Sequence, residues 1–193
     1  MYYLYEYTSG QNYLFGETNN LISNLKKSPT RANRPAEYRH KLDAIQKCAR
    51  DLSHALNREW LDGATLVPVP PSKARGTPEY DDRISQICRA IPASPIDVRE
   101  LVVQRTSMDA AHVSGNRPSV EELLAAYEID EALTSPAPLR IAIVDDVVTA
   151  GTHYRAVHTL LSGRFPGIPV IGVFIARRAL SQDQRSPFAA IDP

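Results

Sequence analysis

Residues 140–161 read RIAIVDDVVTAGTHYRAVHTLL and carry the strongest structural signal in the chain. The run 139–144 is mostly apolar on both faces, which is typical of a central strand in a sheet covered on both sides. We expect this strand to end on two adjacent acids, Asp145 and Asp146. A loop of small and hydroxyl residues follows, and the sequence then favours a helix. The segment therefore predicts a strand–loop–helix unit whose loop lies at the carboxyl end of a buried strand.

Strand-like segments alternate with helix-like segments along the rest of the chain. The patterns predict strands at 64–69, 96–105 and 168–179, and helices at 17–27, 36–58, 80–91, 119–129 and 151–165. This alternation predicts an α/β fold with a mainly parallel twisted sheet flanked by helices. Ligands bind outside the carboxyl ends of the strands in such sheets. Three loops are therefore candidate site segments: 70–78, 104–118 and 145–153.

The N-terminal part of the chain has a different pattern. Strand-forming YYLYEY is separated by the turn residues TSGQN from YLFG, which predicts a hairpin over residues 2–16. Helices follow it. We expect this hairpin and the helices of residues 1–60 to pack on a core domain of residues 61–180, with residues 181–193 as a C-terminal tail.

The composition limits the classes of partner. The 193 residues include 43% hydrophobic residues, enough for a real core, and 22 basic and 22 acidic residues cancel. Zero net charge gives no bulk attraction to nucleic acid or to an anionic membrane. The charges are nevertheless segregated, with nine bases against three acids in 21–58 and five acids without a base in 119–135. Solvated helix faces are the favoured interpretation, and a basic surface for nucleic acid or a protein partner is the alternative.

The cysteines and the hydrophobic segments favour a cytoplasmic protein. Cys48 and Cys88 lack CxxC spacing, so we expect buried reduced thiols and no cysteine metal site. The start MYYLYEY lacks the basic region of a signal peptide. No apolar run approaches membrane-spanning length.

The acidic pair and the loop behind it predict a binding site. Buried carboxylates need partners, because burying them unpaired is costly. Gly151 can adopt a positive φ, and Thr149 and Thr152 offer hydroxyl groups. The helix that follows presents free N–H groups and a positive dipole end. Carboxylates for sugar hydroxyls beside a nest for phosphate would suit a ribose 5-phosphate. The alternative is a solubilising strand end followed by an ordinary helix cap.

The segment IAIVDDVVTAGT at 141–152 resembles the phosphoribosyl pyrophosphate (PRPP) signature of the type I phosphoribosyltransferases, in a form close to the orotate branch. The wider layout resembles the ComF-like branch. LISNLKK at 21–27 matches a helix of that branch, LVPVPPSKARG at 66–76 its PVP loop, and QRTSMDAAHVSGNRP at 104–118 its polar loop. The resemblance implies the type I phosphoribosyltransferase fold, with residues 1–60 as its small N-terminal hood. It also implies transfer of 5-phosphoribosyl from PRPP to a nitrogenous base, with Mg²⁺ and release of pyrophosphate.

The resemblance also implies roles for individual residues. The PRPP-binding residues would be Asp145, Asp146, Val147, Val148, Thr149, Ala150, Gly151, Thr152 and His153. Pyrophosphate would contact Pro71, Ser72, Lys73, Arg75 and Arg105. Catalysis would use Asp145, Asp146, Lys73 and Arg105, and a lid over 104–118 would add His112 and Arg117. PRPP itself would hold most of the Mg²⁺ coordination, with Asp145 or Asp146 as a protein ligand.

Two positions depart from the family pattern. Thr149 stands where hypoxanthine–guanine enzymes carry an acid that serves the base, which argues against a 6-oxopurine acceptor. His153 replaces a residue that is usually small, and both phosphate contact and helix capping stay open for it. A non-catalytic PRPP- or nucleotide-binding protein, acting as a regulator or in DNA uptake or mobile-element defence, is the alternative function. The acceptor base and a homodimer or protein partner stay open.

Overall fold

The computed structural model describes residues 1–92, 95–105 and 118–179 and has α/β architecture. In chain order the strands and helices are β1 (Tyr2–Thr8), α1 (Glu17–Leu25), α2 (Pro35–Ala55), α3 (Arg58–Leu61), β2 (Ala64–Pro68), α4 (Arg83–Arg89), β3 (Asp97–Val98), β4 (Val102–Gln104), α5 (Val120–Ala126), β5 (Tyr127–Ile129), β6 (Arg140–Val148), α6 (Thr152–Arg164) and β7 (Val170–Ala179). Short 3₁₀ turns cover Pro29–Asn33 and Glu131–Leu133.

Five parallel strands form the main sheet in the order β1-β7-β6-β2-β3. Helices cover both faces, as predicted. On the central strand β6, Ala142 and Val144 join the core formed with α1, α2 and α4. Ile141 and Ile143 point to the other face and join the core formed with α5 and α6. All four are buried because side chains alternate between the two covered faces of the strand.

The strand order places a topological switch point between β2 and β6. The chain leaves β2 through α4 towards β3, and it leaves β6 through α6 towards β7 on the opposite side. Adjacent strands whose connections diverge leave a crevice at their carboxyl ends, where ligands bind in open α/β sheets. The fold therefore brings the loop after β2 next to the loop after β6.

The predicted N-terminal hairpin is wrong. Strand β1 pairs in parallel with β7 at the edge of the main sheet, from Tyr2 opposite Val173 to Thr8 opposite Ala179. Residues 13–15 form a turn that leads into α1. Strand β7 has ten residues and needs a partner along its edge. Pairing with this edge gives β1 more backbone hydrogen bonds than pairing with the four residues 13–16 would. The boundary between a hood at 1–60 and a core at 61–180 stays a prediction, and residues 180–193 lie outside the described residues.

The single strand predicted at 96–105 is divided in two. Strand β3 pairs with β2, whereas β4 turns away and pairs antiparallel with β5. Glu100 lies between them and accepts hydrogen bonds from Ser85 at 2.7 Å and Arg89 at 3.2 Å. These contacts with α4 bend the chain out of the main sheet after β3. The apolar sequence pattern continues to residue 105, but the strand of the main sheet ends at Val98.

The helix predicted at 119–129 ends earlier than expected. Its capping box is present, with the Glu122 N–H donating to Ser119 Oγ at 3.1 Å and the Ser119 N–H donating to Glu122 Oε2 at 2.7 Å. Helix α5 stops at Ala126, and the last three residues form β5. The change of structure places Tyr127 in the core beside α6.

Close packing at Gly172 gives a test of this fold. A Cβ on Gly172 would lie 2.7 Å from Cε2 of Tyr154 and 2.9 Å from Cε2 of Phe174. We expect Gly172→Ala to lower the free energy of unfolding by about 1–3 kcal/mol, because two packed rings must move. Urea denaturation measures the change. Gly163→Ala, in α6 with open space around it, is the control and should not destabilise; equal stability of the two variants would contradict this packing.

Candidate functional site

A cleft of about 580 Å³ lies at the switch point between β2 and β6. Pro71 and Ser72 line it from the loop after β2. Eight of the nine residues predicted at 145–153 also line it: Asp145, Asp146, Val147, Val148, Thr149, Gly151, Thr152 and His153. The structure thus brings together one part of the predicted pyrophosphate loop and nearly all of the predicted PRPP loop.

The acids lie within strand β6 and not at its end. Pairing with β7 continues through Val147 and Val148, so the strand ends two residues later than predicted, at Val148 and not at Asp146. The neighbouring strand β7 is long enough to keep β6 extended. Because side chains alternate along a strand, Asp145 and Asp146 project to opposite faces of the sheet. The two carboxylates therefore meet different partners.

Asp146 is a buried anion held by cations. Its carboxylate belongs to a residue that is 5% exposed, and Arg83 donates to Oδ2 from Nε at 3.1 Å and from Nη2 at 2.7 Å. Lys26 Nζ lies 3.6 Å from Oδ1. Burial opposes ionisation, but the guanidinium and ammonium charges outweigh it and hold the pKa of Asp146 below its usual value. One carboxylate oxygen is thus occupied before any ligand arrives.

A further set of charges holds Arg83. Its Nη1 donates to Asp81 Oδ2 at 2.8 Å. The fully buried Lys41 donates to both oxygens of Asp81 at 2.8 Å, and to the carbonyl oxygens of Leu25 at 2.7 Å and Lys27 at 2.8 Å. Burial lowers the pKa of Lys41, against the opposing effect of Asp81. The network runs from the C-terminus of α1 to Asp146 within β6.

Sequence reasoning missed this network. Arg83 and Asp146 are 63 residues apart, and no local pattern joins them. One signal was available: Lys41 falls in helical register with Ala44, Ile45 and Cys48, on the apolar face of α2. A lysine at such a position needs a buried acid or carbonyl partner.

Asp145 has a different environment. The Asp146 N–H donates to its Oδ1 at 2.7 Å, and no side chain among the described residues donates a hydrogen bond to it. Burial and the neighbouring charge of Asp146 raise the pKa of Asp145 to about 7. Adjacent acids with separated pKa values can take different roles. Asp145 is the carboxyl group available to a ligand in the cleft, and it changes its protonation near neutral pH.

The loop behind the acids has the predicted geometry at Gly151. This residue precedes α6 with φ of 74° and ψ of 16°, in the left-handed region that glycine adopts without strain. Helix α6 has no side-chain N-cap, so its first-turn N–H groups keep their donor capacity. The loop therefore offers backbone donors at the positive end of a 13-residue helix.

His153 is fixed by a tyrosine. Its Nδ1 lies 2.7 Å from the hydroxyl oxygen of Tyr127, which comes from the buried start of β5. Burial lowers the pKa of His153. The residue for which the sequence left two roles open thus bonds to a tyrosine, makes no side-chain cap hydrogen bond to α6, and lines the cleft.

The predicted basic residues lie elsewhere in the structure. Lys73 and Arg75 line a small adjoining cavity of about 20 Å³. Arg75 forms an ion pair with Glu100, and Arg105 donates to Glu128 at 2.8 Å across β4 and β5. Their proposed contact with pyrophosphate stays a prediction. His112 and Arg117, with the rest of the predicted lid at 106–117, lie outside the described residues.

The described residues contain no group of three or more His, Cys, Asp or Glu side chains that could hold a metal ion. No cationic side chain among the described residues donates a hydrogen bond to Asp145. Its carboxylate is therefore the group in the cleft best able to contact a metal ion.

Cys48 and Cys88 are buried free thiols, as predicted, and burial raises the pKa of each to about 12. None of the helices in the described ranges is long and apolar enough to cross a membrane.

Comparisons with known proteins add no assignment. No model of a known protein family matches the sequence. A search of curated proteins also returns no match. The functional interpretation therefore depends on the geometry of the cleft and on the resemblance of residues 141–152.

The raised pKa of Asp145 predicts a pH-dependent stability. Between its unfolded value of 3.8 and its folded value of about 7, the folded protein binds more protons, so unfolding free energy falls as pH rises through this window. An asparagine side chain at this position cannot titrate but keeps an acceptor oxygen. We expect the stability of Asp145→Asn relative to the parent to rise between about pH 4 and pH 8 by about 1–4 kcal/mol, because one pKa unit corresponds to about 1.4 kcal/mol. Denaturation at both pH values tests this.

The exposed Asp43 provides the control for that measurement, since its side chain is 66% exposed. Asp43→Asn should keep the same offset from the parent at both pH values. A constant offset for Asp145→Asn as well would contradict the assigned environment.

The cation network gives a further test. Arg83→Met leaves Asp146 and Asp81 buried without the guanidinium, and we expect a loss of about 3–5 kcal/mol in unfolding free energy. Arg89→Met on the same helix removes a half-exposed partner of Glu100 and should cost less than about 1 kcal/mol. Equal losses in urea denaturation would show that Arg83 is no more important than a surface arginine.

Proposed function

We propose that the cleft binds PRPP with Mg²⁺ and that the protein is a phosphoribosyltransferase. It would transfer 5-phosphoribosyl to a nitrogenous base and release pyrophosphate. The observation that carries this proposal is the meeting of Asp145 with the uncapped N-terminus of α6 in one cleft at the switch point. On this proposal the parallel sheet is the core of the type I phosphoribosyltransferase fold, and residues 1–60 contribute the hood.

The phosphate at C5 of the ribose would lie in the loop at 149–152. Backbone N–H groups of α6 and the hydroxyls of Thr149 and Thr152 are suitable donors for its oxygens. The left-handed conformation of Gly151 shapes this turn. Contacts to this remote group orient the sugar without taking part in bond breaking.

The hydroxyls of the ribose would contact Asp145. Asp146 lies on the other face of the sheet, where Arg83 occupies its Oδ2 and keeps it ionised. Cleavage of the bond between C1 and the pyrophosphate oxygen leaves positive charge on the sugar ring. Negative charge fixed beside the ring stabilises that charge as it develops.

The pyrophosphate would leave towards Ser72 and the loop after β2. Lys73 and Arg75, from the loop after β2, and Arg105, from the predicted lid, would add positive charge if these groups turned towards the cleft. Mg²⁺ neutralises the leaving group when it is bound. One available carboxylate fits an ion that keeps waters and substrate phosphates as its other ligands.

A second candidate is a PRPP- or nucleotide-binding protein without transferase activity, acting as a regulator or accessory factor. The ion pairs of Arg75 with Glu100 and of Arg105 with Glu128 favour it, because both cations are already partnered. Binding to the ribose and its 5-phosphate would not need them. The two candidates share one site and differ in turnover.

Calorimetry with PRPP and Mg²⁺ tests the shared site. We expect Asp145→Asn to weaken binding at least about tenfold, because a carboxylate acceptor for ribose hydroxyls is lost. Asp43→Asn is the matched control and should bind as the parent does. Unchanged affinity in Asp145→Asn would refute the site.

Pyrophosphate release separates the two candidates. The parent protein is incubated with PRPP, Mg²⁺ and each of a panel of purine and pyrimidine bases. Base-dependent release supports the transferase, with hypoxanthine and guanine the poorest acceptors because Thr149 replaces the base-contacting acid. Tight PRPP binding without release for any base supports the second candidate.

A further inference from the structure

The pair formed by Tyr127 and His153 lies on the face of the sheet that carries α5 and α6. Tyr127 is the first residue of β5, and His153 is the second residue of α6. Their hydroxyl oxygen and Nδ1 are 2.7 Å apart, a short hydrogen bond. The tyrosine is 2% exposed, so the bond is shielded from water on that side. Such a contact restricts both the orientation and the tautomer of an imidazole.

The direction of this hydrogen bond follows from the acceptors nearby. A buried phenol hydroxyl needs an acceptor, and among the described residues His153 Nδ1 is the acceptor within reach of Tyr127. Burial, with the charge of Asp145, raises the pKa of Tyr127, so the phenol keeps its proton. If Nδ1 carried the proton instead, the hydroxyl hydrogen would be buried without an acceptor in this part of the structure. Tyr127 therefore donates and Nδ1 accepts.

The second ring nitrogen then carries the hydrogen. Burial lowers the pKa of His153, which keeps the imidazole neutral at pH 7. A neutral imidazole with an accepting Nδ1 has its proton on Nε2. Nε2 is separated from Nδ1 by Cε1, so its N–H bond points away from the partner of Nδ1, and His153 lines the cleft next to Thr152. The donor is thus directed away from the buried tyrosine, on a residue in the first turn of α6.

We propose that Tyr127 is a positioning residue that fixes His153 as an Nε2–H donor to an oxyanion in the cleft. Phosphate is the anion that the adjoining helix terminus favours. The identity of that phosphate as the 5-phosphate of PRPP rests on the proposed function. The assignment excludes His153 as a general base, because the Nε2 lone pair is absent in this tautomer. It also gives the unusual histidine at this position a role that a small residue cannot fill.

The tautomer is tested first, on the ligand-free protein. Long-range ¹H–¹⁵N spectra at pH 7 distinguish a protonated from an unprotonated ring nitrogen, and the signals lost in His153→Gln identify this residue among the five histidines. We expect a protonated Nε2 and an unprotonated Nδ1, and a mixture of tautomers in Tyr127→Phe. A protonated Nδ1, an imidazolium, or a spectrum unchanged in Tyr127→Phe would overturn the proposal. Tyr2→Phe, at an exposed tyrosine, is the control.

Anion binding is tested next, with inorganic phosphate and ribose 5-phosphate as probes. We expect either probe to shift the Nε2–H signal, and His153→Leu and Tyr127→Phe to weaken binding about tenfold. His153→Gln places an amide donor near the Nε2 position and should recover part of the loss. Absence of any shift with both probes, or equal binding by His153→Leu and the parent, would overturn the donor role. A shift with phosphate but no binding of PRPP would support the donor and refute the proposed function alone.

Discussion

The ion pair between Arg83 and Asp146 is the interaction on which the organisation of this end of the molecule depends. Asp146 lies on a strand whose two faces are both covered, so its charge cannot reach bulk water. Two N–H donors of Arg83 bond to its Oδ2 and keep it ionised. Asp81 and Lys41 hold Arg83 in turn, and Lys41 also satisfies carbonyl groups at the end of α1. Each charge is costly alone, so the set favours one relative arrangement of α1, α2, α4 and β6.

Side chains alternate between the two faces of β6, so the two acids lie on opposite faces and the site is asymmetric. Asp146 projects towards the arginine, and its neighbour Asp145 projects towards the face that carries α6. A second arginine does not contact Asp145 in the described structure, and the charge of Asp146 opposes its ionisation. Two adjacent residues of the same type thus differ in charge and availability. The charge of Asp146 raises the pKa of Asp145, so Asp145 can change its protonation when a ligand binds.

Local signals predicted the parts of this structure that depend on neighbours in sequence. The apolar run before Asp145 predicted a central strand, Gly151 predicted a positive φ, and Ser119 with Glu122 predicted a capping box, and all three are confirmed. The pairing of β1 with β7 joins opposite ends of the chain, and no turn signal reports it. The division of 96–105 follows from contacts of Glu100 with α4, which the apolar pattern does not contain.

Residues on both faces of the sheet restrain the side chains that line the cleft, and on one face these residues belong to α1 and α2. Lys26, at the end of α1, and Lys41, within α2, contribute to the environment of Asp146 on one face. Tyr127 restrains His153 on the other face. A ligand that binds only the assembled cleft stabilises the arrangement that forms it, by an amount set by its concentration and affinity. Since the cation network crosses from β6 to α1 and α2, that stabilisation extends to residues 17–55. The acids of the cleft are therefore connected by direct contacts to the first two helices.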